Sequence, residues 1–188
     1  QQLSPLKLYT LETIDYPMCN EQIARLKKKL QQAKERDALY KVFGAGSHRY
    51  HLNAPASIAE VDTFEKHYGI QLPECYRSFV LQIGNGGKSY PNLGAGPYFG
   101  IYSLGQNLND LIYKNVALHL KKTCSLNPKI LTTRWDEIIE PIYEDDISDE
   151  DYETLNGNLY GGILPLGSQG CSCIHALVLN GPHKGRVV

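Results

Sequence analysis

The sequence predicts a single α+β domain, and three observations support this. Helical periodicities fall early in the chain, strand-like runs fall late, and the two do not alternate as βαβ units would. The chain has 188 residues, 42% of them hydrophobic. That length suits one domain with a substantial core, since domains commonly run to roughly 100–200 residues. The expected order is N-terminal helices followed by a C-terminal β-meander of antiparallel strands.

Residues 1–19 have mixed character, include Pro5 and Pro17, and read as a peripheral strand or arm. A helix is expected after Asn20, a good N-cap, with Glu21 in its positive first turn. Ile23, Leu26, Leu30 and Ala33 share one stripe at helical spacing, and Gly44, after Val42 and Phe43, is placed as the C′ stop. Ser57 and Glu60 form an S-x-x-E capping box that opens the next helix. Its face carries Val61, Phe64 and Tyr68, and Gly69 ends it. Pro73 is expected at the first position of a third helix, with Tyr76, Phe79, Val80 and Ile83 on one face and Gly84 as the stop. Residues 70–72 leave room only for a tight elbow.

The texture then changes. Asn85-Gly86-Gly87 and Gly94-Ala95-Gly96-Pro97 are turn chemistry, and residues 98–104 are β-like in composition. Residues 107–123 are expected as a fourth helix, Asn127-Pro128 breaks the chain, and residues 135–142 are ambiguous. The stretch 144–153 has little to bury and is expected as a solvated loop or a short exposed helix. Residues 159–166, a turn at 167–170, residues 171–179, a turn through Asn180-Gly181-Pro182, and residues 186–188 read as consecutive strands.

Composition excludes several classes. A formal net charge of −1 gives no overall basic field of the kind a nucleic-acid binder shows. No run of about 18 apolar residues offers a membrane span, and no signal peptide is visible. The chain starts at Gln1 and stops within a strand-like run at Val188, so further residues are expected at both ends. Cys19, Cys75, Cys124, Cys171 and Cys173 are odd in number and irregularly spaced, unlike a disulfide framework. They are expected to be mostly buried thiols of a cytoplasmic protein.

Candidate chemistry is sparse. Gly84-Asn85-Gly86-Gly87 with Lys88 suggests a phosphate loop, but its glycines follow a helix where a P-loop needs a strand before them. Helix stop and turn is the better account. Cys171, Cys173 and His175 would share a strand face, yet zinc sites space cysteines two to four apart and need a second ligand pair. His48-Arg49-Tyr50-His51 has no nucleophile at a defining spacing and reads as structural or surface. No catalytic residue, metal or cofactor is assigned. Charge is the most suggestive feature. Arg25, Lys27, Lys28, Lys29 and Lys34 crowd the N-terminal region, while Glu144, Asp145, Asp146, Asp149, Glu150, Asp151 and Glu153 crowd ten residues. Such a run is either simply a solvated loop or a lure for a basic partner, because charged patches steer encounter.

The order of motifs resembles the SUKH superfamily, and more narrowly the branch named for the fungal Smi/Knr cell-wall assembly regulators. The resemblance lies in His48-Arg49-Tyr50-His51-Leu52-Asn53-Ala54-Pro55, the Leu72-Pro73-Glu74-Cys75-Tyr76-Arg77-Ser78-Phe79 elbow, and Gly84-Asn85-Gly86-Gly87. It continues in Gly94-Ala95-Gly96-Pro97-Tyr98-Phe99, Gly162-Ile163-Leu164-Pro165-Leu166 and Leu179-Asn180-Gly181-Pro182, and covers about residues 42–188. Residues 1–41 would then be an N-terminal arm and helix packed with a SUKH-like domain as one unit. The resemblance implies helices packed on a curved, mainly antiparallel sheet. It implies, for bacterial members, non-enzymatic immunity proteins that neutralise toxin domains, often nucleases or deaminases. The fungal members are regulatory scaffolds instead. The expected partner is therefore a cognate protein toxin, with no direct contact to nucleic acid or membrane. The expected contact residues are Glu144, Asp145, Asp146, Asp149, Glu150 and Asp151 for steering, with Tyr143 and Tyr152 as anchors.

Overall fold

The computed structural model describes residues 17–87, 100–111, 114–127, 129–170 and 173–188. Among them run helices α1 (Pro17–Arg36), α2 (Ala45–His48), α3 (Ile58–Tyr68), α4 (Glu74–Gln82), α5 (Val116–Leu120), α6 (Thr132–Ile139) and α7 (Asp149–Leu159). Short 3₁₀ turns lie at Leu108–Asp110 and Glu140–Tyr143, and strands β1 (Ile163–Gly170) and β2 (Cys173–Val178) pair antiparallel. Helices plus an antiparallel pair agree with the α+β class.

The capping box forms as its sequence requires. Ser57 N–H donates to Glu60 Oε2 at 2.6 Å, and Glu60 N–H donates to Ser57 Oγ at 3.2 Å. The elbow into α4 is held by charge. Glu65 accepts Leu72 N–H at 2.7 Å, and Arg77 reaches back from α4 to Glu65 (3.3 Å) and Asp62 (2.5 Å) on α3. The L-P-x-x-Y-R-x-F pattern thus builds a corner, with one arginine clamping two helices. Pro73 is the N-cap of α4, one place earlier than expected.

The hairpin buries both of its faces. Leu164, Leu177 and Leu179 pack with Val61, Ile70, Leu72, Val80 and Leu120 from the helices. On the other side Ile163, Ala176 and Val178 pack with Cys124. Each such aliphatic side chain contributes about 1.5–3 kcal/mol when fully buried. Further backbone bonds extend the pairing outward. Tyr102 N–H donates to Leu166 O (2.7 Å), Gly87 N–H to Ile101 O (2.7 Å), and Leu52 bridges Gly87, while Val178 N–H donates to Arg186 O (2.8 Å).

The Gly-Asn-Gly-Gly motif sits at this junction. Asn85 O accepts from Asn53 Nδ2 (3.1 Å) and Ser103 Oγ (3.1 Å), and Asn85 Oδ1 accepts from Leu104 N–H (2.7 Å). A Cβ at Gly86, where φ is +76°, would lie 2.4 Å from Ser103 N. The glycines let two backbones close, which is a fold role. Lys88 lies outside the described residues.

Several expectations need correction. α1 starts at Pro17, a turn before Asn20, and ends at Arg36, so Gly44 (φ 80°) precedes α2 instead of closing α1. The single helix expected over 107–123 is broken, because Asn107 and Asn115 both adopt left-handed backbone (φ 54°), and among the described residues Leu108–Asp110 and α5 are its helical parts. Residues 159–166 are not one strand, since α7 runs to Leu159 and β1 begins at Ile163. Residues 167–170 are not a turn but the bulged end of β1. Of the described thiols Cys124 is buried as expected, whereas Cys75 and Cys173 are exposed. Residues 1–16, 94–99 and Cys171 lie outside the described residues.

Candidate functional site

From residue 129 to residue 155 no residue is buried. This stretch nevertheless contains all of α6, the Glu140–Tyr143 turn and the first half of α7. It holds ten carboxylates against Lys129 and Arg134, a net of −8 in a chain whose total is −1. The remainder of the chain is correspondingly basic. Among the described residues only Glu137, with Arg134 (2.7 Å), and Glu153, with Lys114, form ion pairs from this set.

The expected contact residues divide between a turn and a helix. Glu144, Asp145 and Asp146 are exposed in a tight turn closed by Ile147 N–H on Glu144 O (3.3 Å). Asp149, Glu150 and Asp151 form the first turn of α7, where the helix dipole favours negative charge. Ser148 caps that turn, accepting Asp151 N–H at 3.1 Å. The acidic stretch is therefore largely a helix terminus. Lys114 lies beside it, and its hydrogen bond to Glu153 holds its ammonium above the ordinary range, with Asp149 and Glu150 adding to the effect.

Tyr143 is 78% exposed, while Tyr152 is half-buried on α7. Both lie near Tyr160, whose phenol is pushed up chiefly by burial and then by these two rings. α6 supplies what the sequence left ambiguous. Leu131, Trp135, Ile138 and Ile139 recur at i, i+4, i+7 and i+8, with Leu131 71% exposed and the others half-buried. Ile139 and Tyr143, with Asp136, Glu140 and Glu144 around them, line an open recess. The signal for this face was the helical spacing itself.

The other candidates resolve as structure. Tyr50 OH donates to Asp37 Oδ2 (2.8 Å), Tyr50 N–H donates to His48 Nδ1 (2.9 Å), and Asp37 also accepts Lys41 N–H at 2.6 Å. Burial and then the Asp37 bond push the Tyr50 phenol up to about 12, and burial holds His48 below the usual histidine range. This knot fixes the chain after α1 beside a cavity of about 370 Å³ walled by Leu26, Leu30, Leu52 and Ile101. Cys173 is exposed and His175 half-buried on β2. No group of three or more metal-ligating side chains occurs among the described residues.

Residues 55–188 match the SMI1 / KNR4 family (SUKH-1). The chain belongs to this family. No curated protein and no solved structure matches it. In this SUKH-1 chain the match opens at the capping box and takes in the elbow, the Gly-Asn-Gly-Gly junction, the whole unburied acidic segment and the hairpin. SUKH-1 membership fits an immunity-protein role at the level of the family. No helix among the described residues is long and apolar enough to cross a membrane.

Proposed function

We propose that this SUKH-1 protein is an immunity protein of the cytoplasm that binds a cognate toxin domain, of nuclease or deaminase class, and neutralises it without performing chemistry itself. The observation that carries this reading is the concentration of charge. A net of −8 sits on residues 129–155, none of which is fully buried in its own chain. A toxin active site that grips nucleic acid is cationic because it holds phosphates, so this segment is complementary to it and repelled by the toxin's substrate. In this assignment Glu144, Asp145, Asp146, Asp149, Glu150 and Asp151 steer the encounter, and Tyr143 and Tyr152 make contact beside them. Steering of this kind raises association rates by about 10–10³ and weakens with salt.

The test is co-expression with the toxin domain encoded beside it, scoring rescue of growth, followed by binding kinetics at two ionic strengths. Replacing the seven carboxylates between Glu144 and Glu153 by Ser or Asn is expected to slow association and flatten its salt dependence. Unchanged affinity and salt dependence would remove the segment from the interface. If no neighbouring toxin exists and no rescue occurs, the reading passes to a regulatory scaffold, the role of the fungal namesakes.

A further inference from the structure

α6 has eight residues and none is fully buried, so it has little of the tertiary packing from which most helical stability comes. Isolated helices shorter than about 12–15 residues are marginal in water. Its apolar stripe is half-buried at Trp135, Ile138 and Ile139 and open at both ends, with Leu131 71% and Tyr143 78% exposed. Charge complementarity specifies what covers it. Asp136, Glu140 and Glu144 stand at i, i+4 and i+8 around the Ile139–Tyr143 recess, and none has a cationic partner among the described residues.

We infer that the α6 face is the docking anchor for a cationic protein surface, and that the Ile139–Tyr143 recess receives an arginine side chain of that partner. This rests on the immunity reading and adds the seat and its chemistry. A long cationic side chain matches both halves of the recess. Its aliphatic stem lies on Ile139, its charge reaches the surrounding carboxylates, and a guanidinium plane stacks on the Tyr143 ring. Arginine suits this better than lysine because its planar fork pairs with carboxylates while stacking. The same field opposes nucleic acid and anionic lipid. Anchoring therefore falls to α6 and the turn after it, while the α7 carboxylates act at longer range.

Trp135 lies on this stripe and is the one tryptophan of the chain, so it reports on the face directly. The full chain, labelled with 5-fluorotryptophan, is mixed with the unlabelled toxin domain encoded beside it. The ¹⁹F resonance is followed, and dissociation rates are measured for wild type, Ile139→Ser with Tyr143→Ser, and Asp145→Asn with Asp146→Asn. The resonance is expected to shift on binding. The apolar variant is expected to dissociate about tenfold faster or more, as for an interface anchor, with association little changed. The charge variant is expected to alter chiefly association. Circular dichroism of the free variants checks that they remain folded, and Tyr143→Phe, which keeps the stacking ring, is expected to dissociate at a near-wild-type rate. A complex that forms with the ¹⁹F signal unmoved and wild-type dissociation from the apolar variant overturns the anchor and leaves the immunity reading standing. No complex with the wild-type chain overturns both.

Discussion

Replacing Gly157 by alanine in α7 tests how the acidic segment is tied to the core. In an exposed helix this change stabilises by about 0.5–1 kcal/mol, because glycine loses more backbone entropy. Here the added Cβ would lie 1.9 Å from His119 Cε1, 2.5 Å from Nδ1 and 2.6 Å from Nε2. The imidazole cannot swing away freely, since His119 is 7% exposed and its Nδ1 lies 3.1 Å from Gly157 O. Overpacking of this kind costs about 1–3 kcal/mol, and a displaced hydrogen bond about 1 kcal/mol more. Set against the helix-propensity gain, a net loss of about 1–3 kcal/mol is expected. Urea unfolding should show a lower midpoint at unchanged m, and thermal unfolding a Tm lower by about 2–4 °C per kcal/mol for a chain of this size. The double variant Gly157→Ala with His119→Ala removes the ring and the clash together, so the two changes should show strong coupling. If Gly157→Ala is as stable as wild type, His119 does not pack where the structure puts it.

The same histidine gives stability a pH dependence. Burial, then the nearby Lys122 charge, lowers His119 below its ordinary value of 6.5, opposed by its bond to Gly157. The unfolded chain then takes up a proton before the folded one does. The His119 contribution is therefore complete above about pH 6.5 and is lost as pH falls toward and through the lowered value. The difference in unfolding free energy between wild type and His119→Asn should accordingly shrink on acidification, and a constant difference from pH 7.5 to 5 would refute this. At the elbow, Arg77→Ala is expected to cost about 1–2 kcal/mol because it strands Glu65, which also holds Leu72 N–H, and Arg77→Lys should recover only part of it in urea melts. Ser148→Ala removes the N-cap of α7 and is expected to cost about 1 kcal/mol, read by the same melts and by faster amide exchange in residues 149–152.

The elements that could be read from residues alone are those whose local chemistry and burial agree. Ser57 and Glu60 satisfy each other's backbone donors, so the sequence alone places the start of α3. The elbow followed from Pro73 and two apolar stripes that both face the core. Errors arose where one rule acted without the other. Residues 107–123 carry enough apolar residues for a helix, but Asn107 and Asn115 take left-handed backbone and break it. The run from Leu159 to Leu166 is apolar throughout because it is buried, whether helix, turn or strand, so composition could not mark where α7 ends. Around α6 the ambiguity had a physical origin of another kind. Periodicity predicts a helix by predicting what it packs on, and within this chain the stripe of Trp135 and Ile139 is only half covered. The acidic run was visible at once; the apolar face beside it was not.

α7 joins these two regimes. Its first turn carries Asp149, Glu150 and Asp151 in solvent, while Asn156, Gly157 and Leu159 at its other end are buried. Gly157 O meets His119 Nδ1 (3.1 Å) and Ser125 Oγ donates to Leu159 O (3.2 Å), so the C-terminal half is tied to two neighbouring segments. A docking surface built only of unburied helices would lose much of its binding energy to ordering. Fixing one end of α7 in the core orients the charged end before any partner arrives, which lowers that cost. Loosening the His119–Gly157 contact should therefore weaken partner binding as well as stability, although neither residue lies on the proposed surface. Gly157→Ala measured in both assays separates this coupling from a purely local effect. Reduced stability with unchanged affinity below the melting range would show that the acidic segment docks independently of how α7 is seated.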